Sequence, residues 1–553
     1  MSNGNFVIPN PINEPILSYA PGTAERAALK AEIERQSKSK LDIPIIIGGK
    51  ELRTGKIQKV VMPHKHAHVL AEYHVGGAAE LKSAVKAALE ARKEWENMPF
   101  EHRAAIFLKA AELFATKYRA LINASTMLGQ SKTVFQAEID AACELADFLR
   151  FNAHFAAQIY KDQPLSEKGI WNRLEYRPLD GFIAAISPFN FTAIAGNLSS
   201  APAILGNTVV WKPSSTAMLS NYYVMKIFEE AGLPAGVINF VPCSGAEFSE
   251  HVLGNAELGG IHFTGSTAVF KDIWSTVGKN IKKYKNYPRI VGETGGKDFI
   301  FAHPSVVNKG ADGQNQLQGL AVALVRGAFE YQGQKCSAAS RAYIPSSIWG
   351  ELKKILLAET AKLKVGGTDD FNNFVSAVID KKAFERIKGY IDGAKADAAA
   401  EILCGGCDDS VGFFVQPTVI QTTDPEYRTM KEEIFGPVLT VYVYEDADLD
   451  KTLKLCCQND YALTGAIWGQ GRQVITHMEK VLSSAAGNLY INDKCTGAVV
   501  GQQPFGGGRA SGTNDKAGSI LNLYRWLSPR TIKETFVPPT AVGYPFMDGD
   551  GNK

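Results

Sequence analysis

A chain of 553 residues is longer than one hydrophobic core usually supports, so two or three domains are expected. Its 59 Lys and Arg residues against 57 Asp and Glu residues give a net charge of +2, which argues against a nucleic-acid-binding or anionic-membrane surface. No apolar run reaches about 18 residues, so no transmembrane helix is expected.

The N-terminal region is predicted to be irregular up to about residue 60, apart from a short apolar strand at 43–47. From residue 78 to about 149, apolar residues recur every three to four positions, which predicts helices with one buried face. Glu14 and Glu25 precede the first basic residue, so an Arg-rich transit helix is not indicated. A removed presequence, another import route and a cytosolic location all remain open.

Short predicted strands and helices alternate from residue 182 onward, and this alternation predicts a parallel sheet with right-handed crossovers. Ligands bind such sheets at the carboxyl ends of the strands. Asn190, Lys212, the turn at 264–266 and Glu293 all fall at predicted strand ends. The predicted strands are 182–186, 208–211, 237–241 and 260–263, and the predicted helices are about 192–205 and 217–231.

A second α/β region is predicted from about 295 to 478, with a β-branched and aromatic strand at 438–444. The chain then continues through residues 487–492, a glycine-rich loop at 504–512 and a closing strand near 531–536. Residues 171–177 alternate polar and apolar side chains, which is typical of a strand. This strand fits either an arm that packs on another subunit or an ordinary sheet edge.

The eight cysteines of so long a chain are typical of free thiols in a reducing compartment. Cys404 and Cys407 have the spacing of a metal or redox pair, but no second such pair and no histidine lies near them in sequence. We therefore predict a turn between strands there, and no metal site. Cys456 and Cys457 are adjacent in a helical pattern and are predicted to be buried.

Cys336 is the predicted nucleophile. A lone cysteine is usually a small buried hydrophobe, but Gln334, Lys335 and Ser337 are poor core residues. A thiolate can add to an aldehyde carbon, which requires lowering of the ordinary thiol pKa of about 8.5. Lys335 or a helix N-terminus could lower it.

Glu293 and Asn190 complete the predicted catalytic group. Glu293 follows an apolar strand and precedes two glycines, so its carboxylate could activate water once burial raises its pKa; a surface carboxylate is the alternative. Asn190 follows the strand at 182–186, and its amide could donate to an oxyanion together with the Cys336 N–H. A turn or helix N-cap role is the alternative for Asn190.

The segment Phe263-Thr264-Gly265-Ser266-Thr267-Ala268 reads as a strand that leads into a helix. The N–H groups of such a first turn can face a pyrophosphate, although the pattern also fits an ordinary junction. Lys212 could reach ribose hydroxyls, or it could be a solvated lysine at a strand end.

Together these residues resemble the aldehyde dehydrogenase superfamily. Four motifs occur in the order of that superfamily: the Phe-Thr-Gly-Ser turn, Glu-Thr-Gly-Gly-Lys at 293–297, Gly-Gln-Lys-Cys-Ser at 333–337 and Glu-Ile-Phe-Gly-Pro at 433–437. Three further segments, at 187–194, 136–140 and 501–507, are similar to the branch of this superfamily that oxidises L-glutamate γ-semialdehyde. The resemblance extends from about residue 13 to 534.

The resemblance implies an α/β fold with a parallel-sheet NAD-binding domain, an α/β catalytic domain and a small β oligomerisation arm. Residues 1–170 and 178–294 would form a helical segment and the NAD-binding domain, and 295–480 the catalytic domain. Residues 171–177 with 525–540 would form the arm, and 481–524 a return segment with a substrate-anchoring loop. The cofactor contacts implied are Lys212, Thr264, Gly265, Ser266, Thr267, Ala268, Glu433 and Phe435, and the substrate contacts implied are Phe191, Ser337, Gly497, Ala498 and Phe505.

The activity implied is NAD-dependent oxidation of glutamate semialdehyde to glutamate in proline breakdown, by a homodimer or higher homo-oligomer in the mitochondrial matrix. Two other readings are a dehydrogenase for another acidic semialdehyde, such as succinate semialdehyde, and an inactive binding or structural homologue. Many relatives have serine where this chain has Ala498, so carboxylate binding there would depend on backbone N–H groups. Phe270 replaces a glycine of the wider superfamily. The segment Lys212-Pro213-Ser214 lacks the ribose-binding glutamate of many NAD-selective members, so the preference for NAD over NADP follows from the resemblance alone.

Overall fold

The computed structural model describes residue 4 and residues 6–308 and 314–547. Within these ranges no helix is both long and apolar enough to cross a membrane. The two largest elements are seven-stranded sheets, and helices cover their faces.

The strands in chain order are β1 Leu41–Ile43, β2 Ile45–Ile47, β3 Lys50–Leu52, β4 Ile57–Met62, β5 Lys65–His74, β6 Ile170–Pro178, β7 Phe182–Ile186, β8 Val209–Lys212, β9 Ile238–Phe240, β10 Leu258–Thr264, β11 Arg289–Glu293, β12 Asp298–Ala302, β13 Ala339–Pro345, β14 Ala400–Cys404, β15 Cys407–Asp408, β16 Phe414–Val415, β17 Thr418–Thr422, β18 Val438–Tyr444, β19 Tyr461–Ala462, β20 Thr464–Trp468, β21 Asn488–Ile491, β22 Gly508–Arg509 and β23 Leu527–Thr535.

The α-helices are α1 Ala24–Lys38, α2 Ala78–Trp95, α3 Phe100–Ala115, α4 Arg119–Gln130, α5 Val134–Ala137, α6 Leu145–Lys161, α7 Thr192–Ile204, α8 Met218–Ala231, α9 Gly245–Phe248, α10 Thr267–Asn280, α11 Leu317–Phe329, α12 Ser346–Ala361, α13 Lys381–Lys395, α14 Arg428–Lys431, α15 Leu449–Cys456, α16 Arg472–Val481 and α17 Ile520–Leu523. A π-helical segment, Glu138–Glu144, joins α5 to α6 without a break.

The first sheet has the strand order β11-β10-β7-β8-β9-β2-β3. The five strands from β11 to β9 are parallel, which confirms the predicted parallel sheet. Ile183 packs against one helical layer and Ala184 against the other, so both faces of the sheet are buried, as is usual for parallel sheets. The carboxyl ends of β7, β8, β10 and β11 therefore meet at one edge.

The single strand predicted at 43–47 is wrong in one respect, because Pro44 divides it. Proline has no N–H to donate to a neighbouring strand. β1 pairs with β5 in a small three-stranded sheet, whereas β2 pairs with β9 in the first large sheet. The N-terminal region therefore contributes to two separate sheets.

The second sheet has the order β14-β17-β18-β13-β12-β20-β21. It contains the predicted strand at 438–444 as β18, and β13 begins three residues after Cys336. Its edge strand β21 is formed by residues beyond 480, so the segment that we predicted as a return also extends this sheet. The domain division itself stays a prediction.

Strands β6 and β23 form an antiparallel ribbon with nine paired positions, from Leu527 with Pro178 to Thr535 with Ile170. The ribbon begins four residues before the closing strand that we predicted at 531–536. Trp171 on the ribbon is half exposed, with a relative accessibility of 50%. An oligomerisation role for the ribbon remains a prediction.

The predicted turn between Cys404 and Cys407 is confirmed, because β14 ends at the first cysteine and β15 begins at the second. Cys456 is buried at the end of α15, as predicted. Cys457 is only partly buried, because α15 ends at the residue before it.

Candidate active site

The backbone in front of Cys336 makes an unusual turn. The φ angles are 51° at Tyr331, 54° at Gln332 and 63° at Gly333, in the left-handed region that residues other than glycine rarely adopt. The Gln332 amide donates to the carbonyl oxygens of Ser131 at 2.9 Å and Ala377 at 2.7 Å. These buried bonds hold a strained segment in place and so fix the position of the predicted nucleophile.

Asn190 lies after the end of β7 and is buried. Its side-chain amide donates to the carbonyl oxygen of Gln334 at 3.0 Å, and the Gln334 side chain accepts from the Ile379 N–H at 2.9 Å. The amide of Asn190 has two N–H groups, and this bond uses one of them. The structure thus brings the predicted oxyanion donor to the loop that carries Cys336.

Glu293 is the last residue of β11, beside Thr264 in the parallel register of β10. Burial raises the pKa of its carboxyl to about 8, the Lys516 ammonium opposes this shift, and the Asp515 carboxylate adds to it. A carboxyl group with a pKa near neutrality can accept and release protons at physiological pH. The local environment therefore suits the predicted role as general base.

The Cys336 thiol is buried, and burial raises its pKa well above the ordinary value. The carboxylates of Glu293, Asp298 and Glu433 are close enough to raise it further. A neutral thiol follows for the ligand-free protein at physiological pH.

The expectation that Lys335 lowers the pKa of Cys336 is wrong. The Lys335 ammonium lies 3.1 Å from the carboxylate of Glu330, and both side chains are buried. The left-handed turn at 331–333 brings Glu330 back toward Lys335, so the positive charge is compensated there. Lys335 is therefore not a free cation beside the thiol.

The Glu-Thr-Gly-Gly-Lys segment passes close to the catalytic loop. A Cβ atom at Gly296 would overlap the carbonyl oxygen of Cys336, so the close approach requires glycine. The Gly296 N–H donates to the carboxylate of Glu433 at 3.0 Å. This bond places Glu433 beside the cysteine. Phe435, two residues later, has a φ of 55°, and its ring makes an edge-to-face contact with that of Phe189 at a centroid distance of 5.8 Å.

The edge of the first sheet carries polar groups without partners that could bind a nucleotide. Lys212, at the end of β8, is largely buried, and its side-chain ammonium has no hydrogen-bond or ion-pair partner within residues 6–308 and 314–547. The hydroxyl of Thr264 also has no partner within these ranges. Ser266 caps α10, and in the first turn of this helix Ala268 is exposed and Thr267 is partly exposed. A buried lone cation and an open helix N-terminus fit the phosphate and ribose groups of a dinucleotide.

Contacts of the predicted substrate residues link two of their segments to the loop of Cys336 and to Asn190. The Ser337 hydroxyl is 2.7 Å from that of Thr496, which joins the cysteine loop to the segment with Gly497 and Ala498. Phe505 exchanges backbone hydrogen bonds with Ala517. Phe191 directly follows Asn190, and a buried lysine ammonium lies 3.9 Å from the centre of its ring.

That lysine, Lys132, was missed by the sequence analysis. It forms a fully buried ion pair with Asp140 at 2.7 Å and lies between the rings of Phe191 and Tyr331. Asp140 also accepts from the first N–H groups of α7.

Glu144, one helical turn after Asp140, has a pKa raised by burial and then by Asp140, with Glu293 adding to the shift. Two acidic residues four positions apart in a mostly apolar helical stretch were the available signal.

The pKa of Glu293 gives a prediction about pH. A general base must be unprotonated, and this carboxyl releases its proton only near pH 8. We expect kcat to fall about tenfold for each pH unit below about 8. The measurement is NADH formation at saturating substrate across pH.

The neighbours of Glu293 supply the controls for this profile. Asp515→Asn removes a negative charge that raises the pKa and should move the profile to lower pH. Lys516→Met removes a positive charge and should move it to higher pH. If the pH dependence of kcat were the same in both variants as in the wild type, the titrating group would not be Glu293.

Comparison with known proteins agrees with this geometry. The model of the aldehyde dehydrogenase family matches residues 51–532. The chain belongs to the aldehyde dehydrogenase family, and it has the fold of that family.

The chain is similar over nearly its whole length to proteins with one name. It is 56% identical to "Delta-1-pyrroline-5-carboxylate dehydrogenase, mitochondrial" of Dictyostelium discoideum, covering 98% of this chain and 96% of the relative. It is 52% identical to the protein of that name, without "mitochondrial", of Agaricus bisporus, covering 98% of each chain. Among solved structures, the Mycobacterium tuberculosis Delta-pyrroline-5-carboxylate dehydrogenase bound with NAD has a TM-score of 0.94 and 50% identity, covering 99% of this chain and 100% of that one.

Proposed function

We propose that this aldehyde dehydrogenase oxidises L-glutamate γ-semialdehyde, the opened form of Δ1-pyrroline-5-carboxylate, to L-glutamate with NAD. The names of relatives about half identical over nearly the full chain support this substrate. The observation that carries the chemistry is the convergence of Asn190 and Glu293 on the loop of Cys336, from the ends of two strands of the parallel sheet.

Each residue has one task in this reaction. The Cys336 sulfur, as thiolate, forms a bond with the aldehyde carbon. The second N–H of Asn190 and the backbone N–H of Cys336 donate to the resulting oxyanion, and such donors are each worth about 10²–10³ in rate. Lys212 and the first turn of α10 hold NAD, which supplies a hydride acceptor when bound.

Once the aldehyde hydrogen has left as hydride, to the acceptor that bound NAD would supply, Cys336 carries the acyl group as a thioester. Glu293 then takes a proton from a water molecule, and the water oxygen attacks the thioester carbon. The carbon–sulfur bond breaks, glutamate leaves, and the sulfur is again free. Glu433 contributes a carboxylate beside the same loop, where it can accept from a ribose hydroxyl. Phe191 and Phe505 flank the methylene groups of the substrate.

A comparison of two semialdehydes tests the substrate. Glutamate semialdehyde carries an α-amino group and a carboxylate, and succinate semialdehyde carries the carboxylate alone. We expect kcat/KM to be at least about tenfold higher for the five-carbon amino acid. The shorter analogue lacks the α-amino group, so polar groups of the site that bind this amino group are left without a partner. NADH absorbance measures both, and NADP in parallel tests the cofactor preference. A higher value for succinate semialdehyde would favour that alternative.

We also propose that the protein works in the mitochondrial matrix as a homo-oligomer. The location rests on the word "mitochondrial" in the name of the Dictyostelium discoideum relative. The assembly rests on the ribbon of β6 and β23, whose half-exposed Trp171 offers an apolar surface to a second copy.

A further inference from the structure

An N-terminal strap, residues 10–19, crosses the surface of the π-helical segment and α6. The N–H of Leu17 and the hydroxyl of Tyr19 donate to the buried carboxylate of Glu138, at 2.8 and 2.7 Å. The carboxylate of Glu14 pairs with Arg119 at 2.6 Å and Arg150 at 2.7 Å. The strap is therefore held along its length by charged groups on the helices.

Asn13 connects this strap to the far end of the chain. Its amide nitrogen donates to the Asp147 carboxylate at 2.8 Å and to the Val500 carbonyl at 2.9 Å. Its amide oxygen accepts from the side chain of Gln502 at 2.9 Å. Both N–H groups of Asn13 and its oxygen are thus in use, and two of the three bonds go to the segment 500–502.

That segment belongs to a tight turn, residues 499–503. The Val499 N–H donates to the Gln503 side chain, and the Val499 carbonyl accepts from the N–H groups of Gln502 and Gln503. Gly501 has a φ of 79°, and a Cβ atom there would overlap the ring of Phe151 on α6. The turn therefore lies directly on α6, and Asn13 hydrogen-bonds to Val500 and Gln502 of the turn.

We propose that Asn13 is a positioning residue for the substrate: it fixes the turn at 499–503 and thereby orients the N–H groups of Gly497 and Ala498 toward the substrate carboxylate. This role rests on the proposed function. Ala498 has no hydroxyl, so the carboxylate can meet only backbone donors there. Backbone donors cannot rotate toward a ligand independently of the chain, so the turn that directly follows them influences their direction.

The test is Asn13→Ala, with Asn10→Ala as the matched control. Asn10 is an exposed residue of the same strap with no hydrogen bond to the turn within the described ranges. For Asn13→Ala we expect KM for glutamate semialdehyde to rise about three- to tenfold, and kcat and KM for NAD to stay within about twofold. For propanal, an aldehyde with no carboxylate, kcat/KM should stay the same. Asn10→Ala should match the wild type in every measurement.

A second variant guards against a folding defect. Gln502 is exposed, and Gln502→Ala removes the same contact from the other side. We expect KM for the semialdehyde to rise in the same direction but less, and the double variant to be no worse than Asn13→Ala alone. Thermal unfolding of each variant measures folding separately.

Three results would overturn the proposal. An unchanged KM for the semialdehyde in both variants would remove the role of Asn13. An equal loss toward propanal would show a merely structural role. A wild type that oxidises propanal but not the semialdehyde would overturn the proposed substrate and the role of Asn13 with it, and this outcome is visible before any variant is made.

Discussion

Cys336→Ala is expected to lower kcat for glutamate semialdehyde by at least about 10⁴-fold, because no other group can form the covalent bond to the aldehyde carbon. Within the described ranges, Cys336 is the only cysteine beside both Asn190 and Glu293. The variant should still fold, since alanine leaves only a small space in the loop. NADH absorbance measures the rate, and intact-mass spectrometry should find no acyl adduct.

Cys457→Ala is the matched control for this experiment. Cys457 is a partly buried thiol that follows α15, and its S–H donates to the carbonyl of Val481. We expect unchanged kcat in this variant. If Cys336→Ala oxidised the semialdehyde at the wild-type rate, covalent catalysis by this residue would be excluded.

Glu293→Gln is expected to lower steady-state kcat by about 10³-fold and to leave a burst of about one NADH per active site. Glutamine keeps the shape of the side chain and cannot accept a proton from water. The thiol can still add to the aldehyde, and hydride can still leave, so the first turnover proceeds and the thioester accumulates. Stopped-flow absorbance measures the burst, and mass spectrometry should find the acyl-enzyme.

Glu250→Gln supplies the control, because this carboxylate is exposed on the surface. It should change neither burst nor steady rate. A Glu293→Gln enzyme that turns over slowly without a burst would instead place the residue in the first half of the reaction. A variant with the wild-type rate would remove it from the mechanism.

The alternation of strands and helices made most of the first sheet predictable. Buried parallel strands carry short apolar runs, and β7 is such a run, Phe182–Ile186, while β8 and β10 contain shorter apolar stretches. Their strand ends identify a ligand edge without any knowledge of the tertiary structure. The division at Pro44 was also present in the sequence, because proline rarely continues a paired strand.

The charge pairs of the site could not be predicted in the same way. Lys335 next to the cysteine suggested an activating cation, but its partner Glu330 becomes visible only once the backbone turns through three left-handed residues. Asn13 and Val500 are 487 positions apart, and no periodicity links them. Such contacts depend on tertiary packing, which local patterns do not encode.

The raised pKa of the Cys336 thiol lowers its expected reactivity toward oxidants and alkylating reagents. Hydrogen peroxide and alkylating reagents attack the thiolate form of cysteine. With Glu293, Asp298 and Glu433 around it, the sulfur of the unliganded protein keeps its proton. The unliganded protein is therefore expected to react slowly with hydrogen peroxide and alkylating reagents, and to react faster once a bound ligand lowers the pKa of the thiol.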